Sequence, residues 1–266
     1  MTDQDASDAS HLERLNRTLQ KKLSRQERRL AALEVMQEQN ANLGRVLMSE
    51  LEDERQESER LLLNILPEPI AERLKTESGA IADGFDAVSV LFSDIVGFTP
   101  LSETLSAQEM VEWLNNVYSA VDAMVQDHGV EKIRTIGDGY MVAAGVPYPL
   151  PDHATALTSL ALDMKAHFEQ LPPVHGHQVN FRIGISSGPV VGGVIGTHKF
   201  QYDIWGDTVN TAARMESHGV PGRIHISQAT YELIKDTFAC EPRGTIEVKG
   251  KGHMDTWFVE RAVDPE

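Results

Sequence analysis

Cysteine is almost missing from this chain: Cys240 is the only one in 266 residues. No disulfide can close within the chain and no cysteine-cluster metal site can form, which fits a reducing compartment and makes the cytoplasm the expected location. Positive charge is also scarce. Twenty-four Lys and Arg face forty Asp and Glu, a formal charge of −16, which argues against broad affinity for nucleic acid or an anionic membrane. A small polyanion such as a nucleotide stays admissible if a metal and a few local cations screen it. No apolar run approaches the roughly 18–20 residues that span a bilayer, and the polar start Met1-Thr2-Asp3-Gln4-Asp5 is no secretory signal. The expectation is a soluble chain. From His11 to Leu66 proline is absent and glycine occurs once, at Gly44, so nothing there interrupts a helix.

What is present in that stretch is Glu, Arg, Gln and Leu, with Leu12, Leu15, Leu19, Leu23, Leu30, Leu33, Met36, Leu43, Leu47 and Leu51 at spacings in which three and four recur and sum to heptads. This pattern predicts one long helix over 11–66, forming a dimeric coiled coil or, alternatively, lying alone on the globular part. The paired four-residue steps Leu15–Leu19–Leu23 and Leu43–Leu47–Leu51 read as stutters that relax the supercoil. Asn40 at a seam position would fix register, and Glu54 and Glu57 weaken the seam before the domain. Residues 1–10, rich in Asp and Ser, read as a disordered tail. Pro67 ends the helix and 67–85 reads as a linker, leaving 86–262 for the globular domain. There the predicted order begins with a strand at 87–92, a helix opened by the capping box Ser106–Glu109, and two strands joined through Gly137-Asp138-Gly139. A second helix over 152–170 and a strand at 179–186 complete a βαββαβ unit. Such a ferredoxin-like α+β unit has a mostly antiparallel sheet with helices on one face. A helix at 207–217, a strand at 224–227, a short helix and two terminal strands follow.

Two acids stand out at strand ends. In Phe92-Ser93-Asp94-Ile95-Val96-Gly97-Phe98-Thr99 a carboxylate ends a strand and a glycine turn leads into a helical segment. Asp94 could hold a hard cation, and the backbone N–H groups of Gly97, Phe98 and Thr99 could cradle phosphate oxygens. Asp138, at the hairpin tip, would lie beside Asp94 in a βαββαβ sheet. The plainer alternative is that Asp94 caps a helix and Asp138 serves a turn. Asn210 and Arg214, spaced i, i+4, share a helical face and could grip one phosphate, or could form a solvated stripe. His153 reads as a helix-start residue, and Trp113, Tyr118, Met124 and Leu160 as core.

Taken together, residues 92–99, Lys-Ile-Arg-Thr-Ile-Gly-Asp-Gly-Tyr at 132–140, Arg-Ile-Gly-Ile-Ser-Ser-Gly at 182–188, Gln-Tyr-Asp-Ile-Trp-Gly-Asp-Thr-Val-Asn at 201–210 and Val-Lys-Gly-Lys-Gly at 248–252 resemble the class III nucleotidyl cyclases, over roughly residues 60–260. The resemblance implies that Asp94 and Asp138, with the carbonyl of Ile95, bind two Mg²⁺ or Mn²⁺ ions per site. It implies that Arg182 and Lys249 neutralise the polyphosphate, that Asn210 orients the ribose and that Arg214 stabilises the pentavalent phosphorus. It also implies a homodimer with composite sites, to which the coil would contribute. Adenylate cyclases usually carry a lysine where this chain has Arg134; Asp203 is of the adenylate type. A cation and a carboxylate suit adenine N1 and N6 and oppose guanine, so ATP is the expected substrate, with Lys132 as a substitute if the longer arginine misplaces the base. Competing readings are a guanylate or relaxed-specificity cyclase and a catalytically dead nucleotide-binding regulator. The reading also admits an upstream sensor or membrane domain outside this chain.

Overall fold

The computed structural model describes residues 3–263 apart from 78, 197 and 198, with side chains described from residue 15 onward. The chain divides into two contact units, Met1–Leu62 and Leu63–Glu266. The first is essentially one helix, α1 (Asp3–Leu63). It takes in Asp3–Ser10, the segment expected as a disordered tail. Asp3–Ser10 contains neither proline nor glycine, so nothing there stops the helix of 11–66 from continuing toward the N-terminus, which apolar spacing does not register. Met1 and Thr2 lie outside the described residues, as does the side chain of the seam residue Leu12. From Leu15 to Leu51 every seam leucine is exposed.

The second unit contains, in order, α2 (Glu68–Thr76), β1 (Ile81–Val96), α3 (Phe98–Ser102), α4 (Ala107–Asp127), β2 (Glu131–Ile136), β3 (Gly139–Ala144), α5 (His153–Glu169), β4 (Asn180–Val194), β5 (Tyr202–Trp205), α6 (Asp207–Ser217), β6 (Ile224–Ser227), α7 (Gln228–Ile234), β7 (Phe238–Val248) and β8 (Gly252–Ala262). The sheet runs β2-β3-β1-β4-β6-β8-β7, with β5 added to β4. β1 is central and antiparallel to both β3 and β4, as a βαββαβ unit requires, while β4 and β6 pair in parallel. Alternation along β1 sends Leu91 and Ile95 into a core shared with α4 and α5 and leaves Phe92 and Asp94 on the other face.

The two helices of the βαββαβ unit, α4 and α5, share one face as expected, and α6, which follows the unit, covers the other. A Cβ on Gly184 of β4 would lie 2.0 Å from the backbone N of Glu216. The last turn of α6 therefore rests on the strand because residue 184 has no side chain. The segment 67–85 is likewise more than a linker. Pro67 is the N-cap of α2, and Leu66, Ile70 and Ala71 are buried. β1 starts at Ile81, where Asp83, Gly84 and Asp86 obscure the strand in the sequence; Ile81–Phe85 pair with Val190–Val194 beyond a bulge between Phe85 and Val88. No helix among the described residues is long and apolar enough to cross a membrane.

Candidate active site

Asp94 lies on the face of β1 opposite α4 and α5, in register with Arg182 of β4, whose Nη2 donates to Asp94 Oδ2 at 2.8 Å. The β2–β3 hairpin tip folds over the same carboxylate. Gly137 has φ 62°, a left-handed conformation that glycine adopts without strain, and a Cβ on Gly139 would sit 3.9 Å from Asp94 Oδ1. The Asp138 carboxyl is pushed above its usual range, first by burial and further by the neighbouring Asp94, against a backbone hydrogen bond and Arg182 that pull it down. The tip is held from behind. The Tyr118 hydroxyl donates to the Asp138 carbonyl, and Tyr118 stacks on Tyr140 with centroids 5.1 Å apart.

Beyond Asp94 the chain turns through Gly97, φ 75°, into α3, whose start no side chain caps. The backbone of Phe98 and Thr99 therefore forms an uncapped helix opening next to the acids. Ile95 is buried in the core, so its carbonyl is the group it can offer. Asn210 and Arg214 lie exposed on α6, and among the described residues Arg214 makes no ion pair. Glu216, two residues on, points the other way: Arg182 Nε donates to its Oε1 at 2.9 Å. Two residues along a helix are about 200° apart, so Arg214 is directed away from the Asp94 cluster of its own chain. Lys249 is exposed at the β7–β8 turn, whose Lys251 pairs with Asp207 at the start of α6. Within one chain the residues expected at the metal, phosphate and ribose thus fall into two groups. Asp94, Asp138 and Arg182 converge, while Asn210 and Arg214, with the turn bearing Lys249, gather along the outer side of α6.

Arg134 and Asp203 meet despite their distance in sequence. Arg134 Nη1 donates to Asp203 Oδ2 at 2.5 Å, and Asp203 Oδ1 accepts from the Ile204 N–H at 2.9 Å. Asp203 is buried, and the Arg134 Nε is buried without a partner among the described residues. Lys132 does not share this face. A register shift between Lys132 and Arg134 turns Lys132 toward α4, where its Nζ donates to Asp122 at 2.6 and 2.9 Å, so it is committed elsewhere. Sequence reasoning missed Glu216 and Asp122, and took Tyr118 for core alone; their signal lies in contacts between elements. His153 begins α5, buried, with Nδ1 2.8 Å from Ser89 Oγ, in keeping with a helix-start residue.

The donor set at Asp94 fits a hard divalent cation. It consists of oxygen groups, and two carboxylates that burden one another electrostatically gain from a cation between them. Among the described residues no group of three or more His, Cys, Asp or Glu could hold a metal, so these acids would supply part of a coordination shell and leave the rest to ligand oxygens or water.

Residues 81–261 match the family model for the adenylate and guanylate cyclase catalytic domain. The chain belongs to this family. Its cyclase domain is of class III. An adenylate cyclase of Mycobacterium bovis is 49% identical over 219 residues, 81% of this chain and 49% of the relative. The guanylate cyclase soluble subunit beta-2 of Rattus norvegicus is 42% identical over 217 residues, 81% of this chain and 32% of the relative. The chain thus spans about half the length, or less, of these relatives. Among solved structures, the guanylate cyclase domain of RhGC from Catenaria anguillulae in complex with GTP matches with TM-score 0.66 at 41% identity, covering 68% of this chain and 100% of that one. The adenylyl cyclase CyaB from P. aeruginosa matches with TM-score 0.63 at 31% identity, covering 70% and 97%. Both nucleotide types are represented, so family membership leaves the base open.

Proposed function

We propose that the protein is an adenylate cyclase that converts ATP to 3′,5′-cyclic AMP and pyrophosphate as a cytoplasmic homodimer. The observation that carries this reading is the convergence of Asp94 and Asp138 beside the uncapped start of α3. Asp94, Asp138 and the Ile95 carbonyl would hold Mg²⁺ or Mn²⁺. When bound, two such ions supply acidification of the ribose 3′-OH and charge neutralisation on the β- and γ-phosphates. The backbone N–H groups from Gly97 to Thr99 cradle phosphate oxygens. Arg182 spends two of its five N–H groups on Glu216 and Asp94 and retains three for the polyphosphate. Lys249 adds a second cation there. Asn210 orients the ribose, and Arg214 meets the charge that develops as the 3′-OH attacks the α-phosphorus and pyrophosphate departs.

Arg214 and Asn210 face away from Asp94 in their own chain, which supports a site completed by a second copy. The exposed leucine seam of α1 supports the same dimer, because a long helix with an apolar stripe gains stability by burying it against another helix. The Arg134–Asp203 pair supports adenine. Asp203 keeps free lone pairs to accept from the adenine amino group, and Arg134 keeps N–H donors for ring N1; guanine would set donor against donor and acceptor against acceptor. Incubating the purified chain with ATP or GTP and Mg²⁺ or Mn²⁺ tests the reading. The expected result is cyclic AMP and pyrophosphate, with ATP preferred. Cyclic GMP at an equal rate would overturn the base assignment, and no cyclic product from either nucleotide would overturn the cyclase assignment.

A further inference from the structure

We infer that Glu216 is a positioning residue of the active site, one that holds Arg182 between two carboxylates and so keeps the guanidinium from neutralising Asp94. The inference rests on the functional reading above. Arg182 Nε goes to Glu216 at 2.9 Å and Nη2 to Asp94 at 2.8 Å. One edge of a planar guanidinium is thus divided between an acid on α6 and an acid on β1, where a bidentate grip on Asp94 alone would be the stronger pairing. The Glu216 side chain is 13% exposed and those of Arg182 and Asp94 28% each, so solvent and salt screen these charges only partly.

The backbone aims residue 216 before its side chain is considered. Gly184 lets the last turn of α6 rest on β4, Met215 is fully buried, and its carbonyl accepts from His225 Nδ1 at 2.7 Å. The Glu216 carboxylate therefore projects at Arg182. With Asp94, Asp138 and Glu216 ionised and Arg182 charged, the cluster carries two negative charges, the complement of one divalent cation. Without the Glu216 charge it carries one, and Arg182 is free to close on Asp94 with both N–H groups. Glu216 thus sustains the cation affinity of carboxylates it does not join as a ligand.

A bridge that merely fastens α6 to the sheet makes a different prediction, because breaking it from either end would loosen the site alike. Binding of Mn²⁺ alone, read from the electron paramagnetic resonance signal of the free ion, distinguishes the two. Glu216→Gln retains an acceptor oxygen and the side-chain volume but not the charge, and its Mn²⁺ dissociation constant should rise about five- to tenfold. Glu216→Asp, which keeps the charge, should stay near the parent. Arg182→Gln should shift binding in the opposite direction, to tighter Mn²⁺, although it loses turnover. In assays of Glu216→Gln, half-saturating Mn²⁺ should rise by the same factor while KM for the nucleotide at saturating Mn²⁺ changes less than about twofold. Weaker Mn²⁺ binding in both Glu216→Gln and Arg182→Gln, or no change in Glu216→Gln, overturns the inference alone. Should Glu216→Gln not fold, the sign of the Arg182→Gln shift decides. Parent binding that Asp94→Ala leaves unchanged overturns the functional reading and this inference with it.

Discussion

Leu23 of α1 is 58% exposed and Leu91 of β1 is fully buried, although both occupy positions that their local pattern marks as apolar. The difference separates the two units of the molecule. α1 satisfies its backbone hydrogen bonds internally, residue by residue, but leaves the apolar stripe from Leu15 to Leu51 uncovered. Burying a leucine gains about 1.5–3 kcal/mol, so the helix is complete in its backbone and incomplete in its packing. The sheet unit is the reverse. Its core closes within one chain, yet the groups assigned to chemistry are divided between the Asp94 cluster and the outer side of α6. Under the functional reading above, a single second copy would cover the seam of one unit and complete the site of the other.

The largest expected effect tests the incomplete site. Asp94→Ala or Asp138→Ala should lower cyclisation by at least about 10²- to 10³-fold, with cooperative unfolding retained because neither acid is in the core. Mixing Asp94→Ala chains with Arg214→Ala chains should restore part of the activity, since each heterodimer can assemble one intact site. A mixture as inactive as its components would show that each sheet unit works alone.

A smaller effect concerns the proposed base pocket, whose Arg134 and Asp203 meet within one chain. Arg134→Glu with Asp203→Cys should reduce the ATP-over-GTP ratio of kcat/KM by about 10- to 100-fold, because the hydrogen-bond polarity at both positions is altered. An unchanged ratio would mean that groups other than this ion pair read the base.

Next comes the helix. α1 runs without interruption past Glu54 and Glu57, so deleting three or four residues there rotates the downstream end of the helix, whereas deleting seven roughly preserves its face. Basal activity should change several-fold for the short deletions and least for the seven-residue one. A smooth decline with length in chains that remain dimeric would reduce α1 to a tether.

A further effect, on stability rather than activity, belongs to the sheet unit alone. Burial holds the His225 imidazole down at about 4 from a usual 6.5, with the Met215 carbonyl opposing and Arg243 assisting. A lowered folded pKa means that the unfolded chain takes up the proton first, so this stabilisation is full above about pH 6.5 and is lost as pH falls toward 4, by up to about 3 kcal/mol. Glu131 works against it. Burial raises its carboxyl to about 7, so its contribution is present at low pH and lost as pH rises through that value. Urea unfolding of the parent and of His225→Asn at stepped pH isolates the histidine: the gap between them should narrow on acidification. A gap constant from pH 7 to pH 4 would contradict the assignment.

Features that depend on near neighbours along the chain were legible in the residues alone. α1 comes from an unbroken run of helix formers, since each of its bonds joins residues four apart. The capping box at Ser106 and Glu109 and the hairpin at Gly137–Gly139 arise from local chemistry in the same way. The convergence of Asp94 and Asp138 needed only strand order, which the βαββαβ pattern carries. Other features had to await the folded chain. Whether 81–86 is strand or linker depended on Val190–Val194 as a partner, and the four-residue β5 exists only by pairing with β4. A register shift in β2 sent Lys132 to Asp122 and left Arg134 for Asp203. Glu216 reaches Arg182 because Gly184 admits α6 to the Asp94 face of the sheet. Propensity and spacing describe a chain against itself. A bulge, a missing Cβ and a shared guanidinium are properties of distant segments in contact, set by the strand that happens to lie opposite.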